Sequence, residues 1–303
     1  YGKDECSSQD WQKHFDEMMA ALYSKLFGKI IPLLSGVRKI IFIPYRGFHF
    51  LPLHAMVTED NGHKRYIIDD FEISYAPSAK ILKKCREGKR KPTRKMCIAL
   101  SRAGKGLPFA SREAEAIQTI FGGAVIKESV NRDDIIDLGR EADILHYVGH
   151  ASYNSLLLHS RNDLQESEEY TVDEILQTLS LPNASLTILS ACETGMSFPG
   201  GTDEYIGLPA SFLCSGSATV ISSLWCVHDI PTFLLMKKFY SLIREGKGKA
   251  ESLRTAQLWL KDPSNRGEHY LMIPDDFREP VKRFYTDFSN PYCWSGFICS
   301  GAE

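Results

Sequence analysis

Two short stretches of this chain end in residues able to do covalent chemistry. "LTILSACETG" (Leu186–Gly195) is an apolar run that reaches a small residue, Ala191, and then Cys192. "ADILHYVGHAS" (Ala142–Ser152) follows the same grammar, reaching Gly149 and then His150. A cysteine thiol ordinarily titrates near ~8.5, so it is only partly thiolate at neutral pH. An imidazole beside it takes its proton, stabilises the thiolate and later protonates a leaving amine. A tetrahedral intermediate also needs N–H donors, and the amides of Cys192 and Ala151 stand in the right places in the chain to supply them. The same residues admit a plainer reading, a buried thiol and a core imidazole. A third reading pairs His146 and His150 of "HYVGH" on a metal, since residues four apart on a strand share a face. The glutamate of a His-Glu-x-x-His helix is absent, and His146 packs or supports more simply.

The elements around these residues decide whether they can meet. In open parallel sheets, functional groups gather beyond the carboxyl ends of the strands. From "KMCIALS" onward, strands and helices alternate: "SREAEAIQTIFGG", a helix with Ser111 as N-cap and Gly122 as stop; "AVIKES"; a helix opened by Asn131; and "ADILHYVGH". A helix with a Thr171/Glu174 capping box follows, then "SLTILSAC", a helix "DEYIGLPASFLCSG", the strand "SATVISSLWCV", two helices and a closing strand "YCWSGFICSG". Near-continuous apolar strands between amphipathic helices predict an α/β fold, a mostly parallel sheet with helices on both faces. Upstream, residues 9–34 have helical spacing, "RKIIFIPY" reads as a strand, and short strands and turns follow, broken by Pro44, Pro52 and Pro77. The basic run "KKCREGKRKPTRK" reads as a solvated linker at a subdomain boundary, and "HSRNDLQESEEY" as a surface loop.

Composition narrows the function classes. The 303 residues suit one large α/β domain or two smaller ones. A net charge of -2 makes no global case for gripping nucleic acid or an anionic membrane. No apolar run approaches the ~18 residues of a membrane helix, and no signal peptide opens the chain. The first residue is Tyr1, so a fragment of a longer polypeptide is expected. Eight cysteines without a Cys-x-x-Cys pair argue against a zinc ribbon or thioredoxin site. They suit thiols packed as small hydrophobes in a reducing cytoplasm. There is no Gly-x-Ser-x-Gly elbow, phosphate loop or dinucleotide fingerprint, and "SRAGKG" is a plain turn.

The blocks "ADILHYVGHASY" and "LTILSACETG" resemble the two signature blocks of CHAT domains, caspase-like, separase-related cysteine peptidases of clan CD that are often fused to TPR repeats. The resemblance runs along nearly the whole chain through "IFIPYRGFHFLPLHAM", "YIIDDFEISYAPSA", "LPFASREAEAI", "YTVDEIL", "GLPASFLCSGSATVISSLWCVHD" and "NPYCWSGFICSG". It implies a caspase-like fold, with a pseudo-caspase part over residues 1–92 and an active part over 93–303. It implies His150 and Cys192 as the catalytic dyad, an oxyanion held by the amides of Ala151 and Cys192, and no metal or cofactor.

Two blocks depart from the family pattern. Ala151 stands where the family has glycine, and "WCVHD" replaces Trp-Pro-Val-Asp-Asp, so Cys226 and His228 are substitutions and Asp229 is retained. In separases an acid near this block receives a basic P1 side chain, which makes Asp229 a substrate-binding candidate; it equally suits an N-cap for the helix beginning "IPTF". The chain is also similar to the TPR-CHAT peptidases that partner the type III-E CRISPR effector. That similarity implies an upstream TPR region in the same polypeptide, an RNA-guided effector ribonucleoprotein as partner, and a conditionally active cytoplasmic peptidase acting on a protein. The altered blocks leave a catalytically silent scaffold as the other reading.

Overall fold

The computed structural model describes residues 9–88, 90, 95–101, 109–152, 154–160, 166–191, 207–278 and 288–302. In chain order the strands are β1 (Lys39–Phe42), β2 (Val57–Asp60), β3 (His63–Tyr66), β4 (Glu72–Tyr75), β5 (Met96–Leu100), β6 (Val125–Glu128) and β7 (Ile144–Val148). Then come β8 (His150–Ala151), β9 (Ser155–His159), β10 (Ser167–Thr171), β11 (Leu186–Ser190), β12 (Thr219–Ser223) and β13 (Phe297–Gly301). Eight of them form one sheet in the order β1-β4-β13-β12-β11-β7-β5-β6. Every adjacent pair is parallel except β12 with β13. The sheet is therefore two blocks of opposite direction, five strands from β12 to β6 and three from β1 to β13. A small antiparallel sheet, β10-β9-β8, sits beyond the end of β7.

Among the helices are α1 (Gln9–Leu22), α2 (Ile67–Asp70), α3 (Ala79–Glu87), α4 (Ala110–Phe121), α5 (Arg132–Glu141), α6 (Val172–Thr178), α7 (Leu208–Cys214), α8 (Asp229–Arg244) and α9 (Lys249–Lys261). They divide between two cores. Phe15 and Met19 of α1, Ala114 and Ile117 of α4, Phe233 of α8 and Leu253 of α9 share one. Cys85 of α3, Ile135 of α5, Ile175 of α6 and Phe212 of α7 share the other. Strand residues alternate between the cores: Met96, Ile98 and Leu100 face the first, Cys97 and Ala99 the second. That is why the central strands read as unbroken apolar runs, for both faces are covered. Each fully buried aliphatic side chain contributes about 1.5–3 kcal/mol.

The expected caps hold at two helices. The Asn131 side chain accepts from the Asp134 amide at 3.0 Å while Asp134 accepts from the Asn131 amide at 3.1 Å. Thr171 and Glu174 do the same for α6. Gly122 ends α4 at φ +66°, a conformation that glycine adopts without strain.

Other expectations are corrected. The α4 helix begins before Ser111, because Phe109 and Ala110 are pulled into the core. In "DEYIGLPASFLCSG" the described helix runs from Leu208, with Gly207 before it. "YCWS" is not strand: Pro291–Trp294 is a helical turn capped by the Asn290 side chain, and only Phe297–Gly301 joins the sheet. In "HSRNDLQESEEY" residues 161–165 lie outside the described residues, and His159 and residues 167–170 are strand. In β10 only Tyr170 is buried, so no alternation shows in the sequence. The basic run is not simply solvated. Lys84 donates to the Cys214 carbonyl at 2.8 Å and Arg90 to the Gly216 carbonyl at 3.1 Å, two cations at the negative end of α7. Among the described cysteines, Cys85 and Cys97 are buried with thiols pushed up by burial, while Cys226 is exposed.

Candidate active site

β7 and β11 lie side by side and parallel, with Val148 opposite Ser190. His150 and Cys192 each follow their strand end by two residues. Cys192 lies outside the described residues; the chain leading to it, Ser190 and Ala191, is buried at the end of β11.

Hydrogen bonds fix the backbone around His150. The Gly149 amide donates to the Ser190 carbonyl at 3.3 Å, extending the β7–β11 ladder by one residue. His150 and Ala151 then form β8, opposite Leu157 and Leu156. The Ser152 amide donates to the Ser155 carbonyl at 2.9 Å in the same register. Antiparallel pairs alternate between bonded and non-bonded. His150–Leu157 is thus a bonded pair and Ala151–Leu156 a non-bonded one. The Ala151 N–H accordingly faces away from β9, on the side that Gly149 presents to β11.

Two buried hydroxyls hold carbonyls at these strand ends. The Tyr147 hydroxyl lies 2.8 Å from the His150 carbonyl and 2.8 Å from that of Leu157, which also accepts from Ser101 Oγ at 2.7 Å. Gly149 is required by this arrangement, since a Cβ there would sit 2.5 Å from the Tyr147 oxygen. On the neighbouring strand, Ser223 Oγ donates to the Ala191 carbonyl at 2.6 Å.

A cleft lies over the two strand ends. Val148 and Gly149 line it from β7, Ser190 and Ala191 from β11, Phe109 and Ala110 from the start of α4, and Val227, Asp229 and Thr232 from the start of α8. Two helix N-termini therefore face the cleft, and their dipoles favour a thiolate or an oxyanion there.

Asp229 is not the N-cap of α8. His228 holds that position, its carbonyl accepting from Thr232 Oγ1 at 2.7 Å, and Asp229 is the first helical residue. The substituted residues of "WCVHD" have structural partners: the Tyr292 hydroxyl donates to the Cys226 carbonyl, and the His228 ring packs edge-on against Tyr292 at 5.0 Å. Trp225 stacks on the same tyrosine at 6.0 Å, and Trp11 of α1 meets it at 5.2 Å.

His146 does not share a site with His150. It is fully buried in β7, with Nδ1 2.8 Å from the Tyr240 hydroxyl and Nε2 2.9 Å from Glu113 Oε1. A carboxylate can only accept, so Nε2–H donates to Glu113, and the Tyr240 hydroxyl, able to donate or accept, partners Nδ1. Burial and the Glu113 charge push the Tyr240 hydroxyl well above its ordinary range. Both ring nitrogens are thus occupied by protein partners. Among the described residues no cluster of His, Cys, Asp or Glu could hold a metal ion. Glu113 went unnoticed in the sequence, yet it stands with Ala110, Ala114 and Ile117 on the i, i+3, i+4, i+7 stripe of α4, where a core residue belongs.

The family model of the CHAT domain matches residues 16–302. The chain belongs to the CHAT domain family. This CHAT domain is 28% identical over 117 residues to the separin of Schizosaccharomyces pombe (strain 972 / ATCC 24843), an alignment that spans 39% of the chain but 6% of the separin. Its fold resembles the crystal structure of the Arg specific cysteine proteinase gingipain R, with a TM-score of 0.57 at 12% identity over 95% of this chain and 66% of that one. It resembles the Saccharomyces cerevisiae separase in complex with securin equally well, with a TM-score of 0.55 at 13% identity over 84% of this chain and 14% of that one. The CHAT domain thus shares the mixed, mostly parallel sheet of those caspase-like folds. Among its described residues no helix is long and apolar enough to cross a membrane.

Proposed function

We propose that this CHAT domain is a cysteine endopeptidase with Cys192 as nucleophile and His150 as general base, then acid. What supports it is the register: two neighbouring parallel strands end side by side at one cleft, and in the sequence the histidine and the cysteine follow those ends at the same offset. The Cys192 thiolate attacks the scissile carbonyl, a C–S bond forms, and the carbonyl π pair moves to oxygen. The amides of Ala151 and Cys192 stabilise that oxyanion. Collapse breaks the C–N bond as His150 protonates the departing amine. Water, deprotonated by His150, then cleaves the thioester and releases the acid. No metal or cofactor takes part.

Asp229 is the proposed receiver of a basic P1 side chain, because it stands in the cleft wall and carries the complementary charge. Gingipain R, of similar fold, is described as Arg specific. Residues 1–92 are the proposed pseudo-caspase part, contributing β1 and β4 to the shared sheet. The resemblance of the sequence further supports a conditionally active enzyme, governed by a TPR region in the same polypeptide and an RNA-guided effector.

The test pairs a fluorogenic peptide bearing arginine at P1 with alkylation of Cys192 by iodoacetamide, which needs no substrate recognition. Cys192→Ala is expected to abolish cleavage. His150→Ala is expected to lower both cleavage and the neutral-pH alkylation rate by at least about 100-fold and 10-fold respectively. A Cys192→Ala variant that cleaves as fast as the parent sinks the proposal, as does alkylation indifferent to His150. EDTA is expected to change nothing.

A further inference from the structure

The carbonyls held by Tyr147 and Ser223 belong to two particular peptide units. The His150 carbonyl shares its plane with the Ala151 N–H, and the Ala191 carbonyl with the amide that follows it. In a trans peptide the C=O and the next N–H point in opposite directions. The His150 carbonyl is drawn toward β9 by Tyr147, which turns the Ala151 N–H toward β11. The Ala191 carbonyl is drawn toward β12 by Ser223, whereas that of Ser190 faces Gly149 on β7. The Ala151 amide is thus aimed at the gap between the two strand ends by a hydroxyl on the far side of its own peptide plane, and Ser223 holds the carbonyl of the peptide unit that leads to Cys192.

We propose that Tyr147 and Ser223 are positioning residues for catalysis, buried hydroxyls that hold the carbonyls of the two peptide units whose amides are proposed to bind the oxyanion. Neither touches substrate. Both are dry: Tyr147 is 1% exposed and Ser223 0%, so water cannot take their place. An amide that wanders off its aim must reorganise as the oxyanion forms, and preorganisation is what gives such donors their large effect. The effect is felt in the transition state and not in substrate binding. The Tyr147 oxygen occupies the space a Cβ at position 149 would need, so glycine there keeps the hydroxyl within reach of the His150 carbonyl.

This inference rests on the peptidase proposed above, and two chemical probes separate them. A peptidyl-arginine aldehyde reports on the amides: the thiolate adds to the aldehyde carbon, the π pair moves to oxygen, no group leaves, and the oxyanion is held as in the transition state. Iodoacetamide reports on the dyad alone, since displacement of iodide builds no oxyanion. Tyr147→Phe and Ser223→Ala are each expected to weaken aldehyde binding and lower kcat about 10-fold, with KM and the alkylation rate unchanged. Ser222→Ala is the control, removing an equally buried hydroxyl from the preceding position of β12, one with no hydrogen-bond partner among the described residues; it is expected to be silent. Should Tyr147→Phe fail to fold, Ser223→Ala against Ser222→Ala carries the comparison alone. Variants that bind the aldehyde and turn over like the parent overturn the inference, as does a loss that Ser222→Ala reproduces. If the parent binds no aldehyde and its alkylation ignores His150→Ala, the peptidase itself is wrong and this inference falls with it.

Discussion

Each block of the sheet buries a histidine–tyrosine pair, and the two pairs are completed differently. In the three-strand block, His54 Nδ1 lies 2.8 Å from the Tyr75 hydroxyl, which also accepts from the His54 amide at 3.0 Å. Burial pushes the His54 imidazole down to about 3, so the pair is neutral. In the five-strand block, His146 is held by Tyr240 and by a carboxylate, Glu113. A neutral pair is an ordinary way to pack polar rings. A buried carboxylate is costly and persists only with good partners. Its place explains where the rigidity is needed: Glu113 is on α4, Tyr240 on α8, and the N-terminal ends of both helices form the cleft walls. The network ties both walls to β7, the strand that leads to His150.

The largest expected effect lies in that charged network. Glu113→Ala strands a buried imidazole and is expected to cost about 3–5 kcal/mol of stability in urea unfolding. Glu113→Gln keeps a hydrogen-bonding group within reach of His146 and should cost clearly less. A Glu113→Ala variant as stable as the parent would erase the difference between the blocks.

Parts of this were legible in the sequence and parts were not. The central strands, the caps at Asn131 and Thr171 and the matching strand ends were readable because local pattern and tertiary need agree there. The reversed direction of β13 was not, because strand direction comes from tertiary pairing. Glu113 hid because a glutamate on a helix is usually solvated, and Lys84 and Arg90 hid within a run of charges. The aim of the Ala151 amide depends on which pairs of β8 and β9 are bonded, a matter of register that residue types do not carry. His150 and Ala151 form β8 just beyond the end of β7, while Cys192 lies outside the described residues.

A middle-sized effect sharpens the neutral side. Tyr75→Phe leaves His54 Nδ1 and the His54 amide without the shared hydroxyl. Leaving buried polar groups unsatisfied costs about 1–3 kcal/mol, and the loss should appear in urea unfolding with peptide cleavage per folded molecule unchanged. A matching fall in kcat would show that the three-strand block also positions the cleft, and the contrast would fail.

The smallest effect is one of pH. Because the folded-state pKa of His54 is depressed, from 6.5 to about 3, the unfolded chain binds the extra proton first as pH falls. Its contribution to stability is complete above pH 6.5 and is lost progressively as pH drops toward 3. The titratable side chain in contact is Tyr75, itself pushed upward by burial and neutral throughout this range. The slope from one such group is at most about 1.4 kcal/mol per pH unit. His54→Gln is expected to flatten the acid limb of the stability curve between pH 6 and pH 5 by about that much, once its own loss at pH 7.5 is subtracted. An unchanged slope would mean that His54 is not buried neutral, and its contrast with the carboxylate-bound His146 would fail.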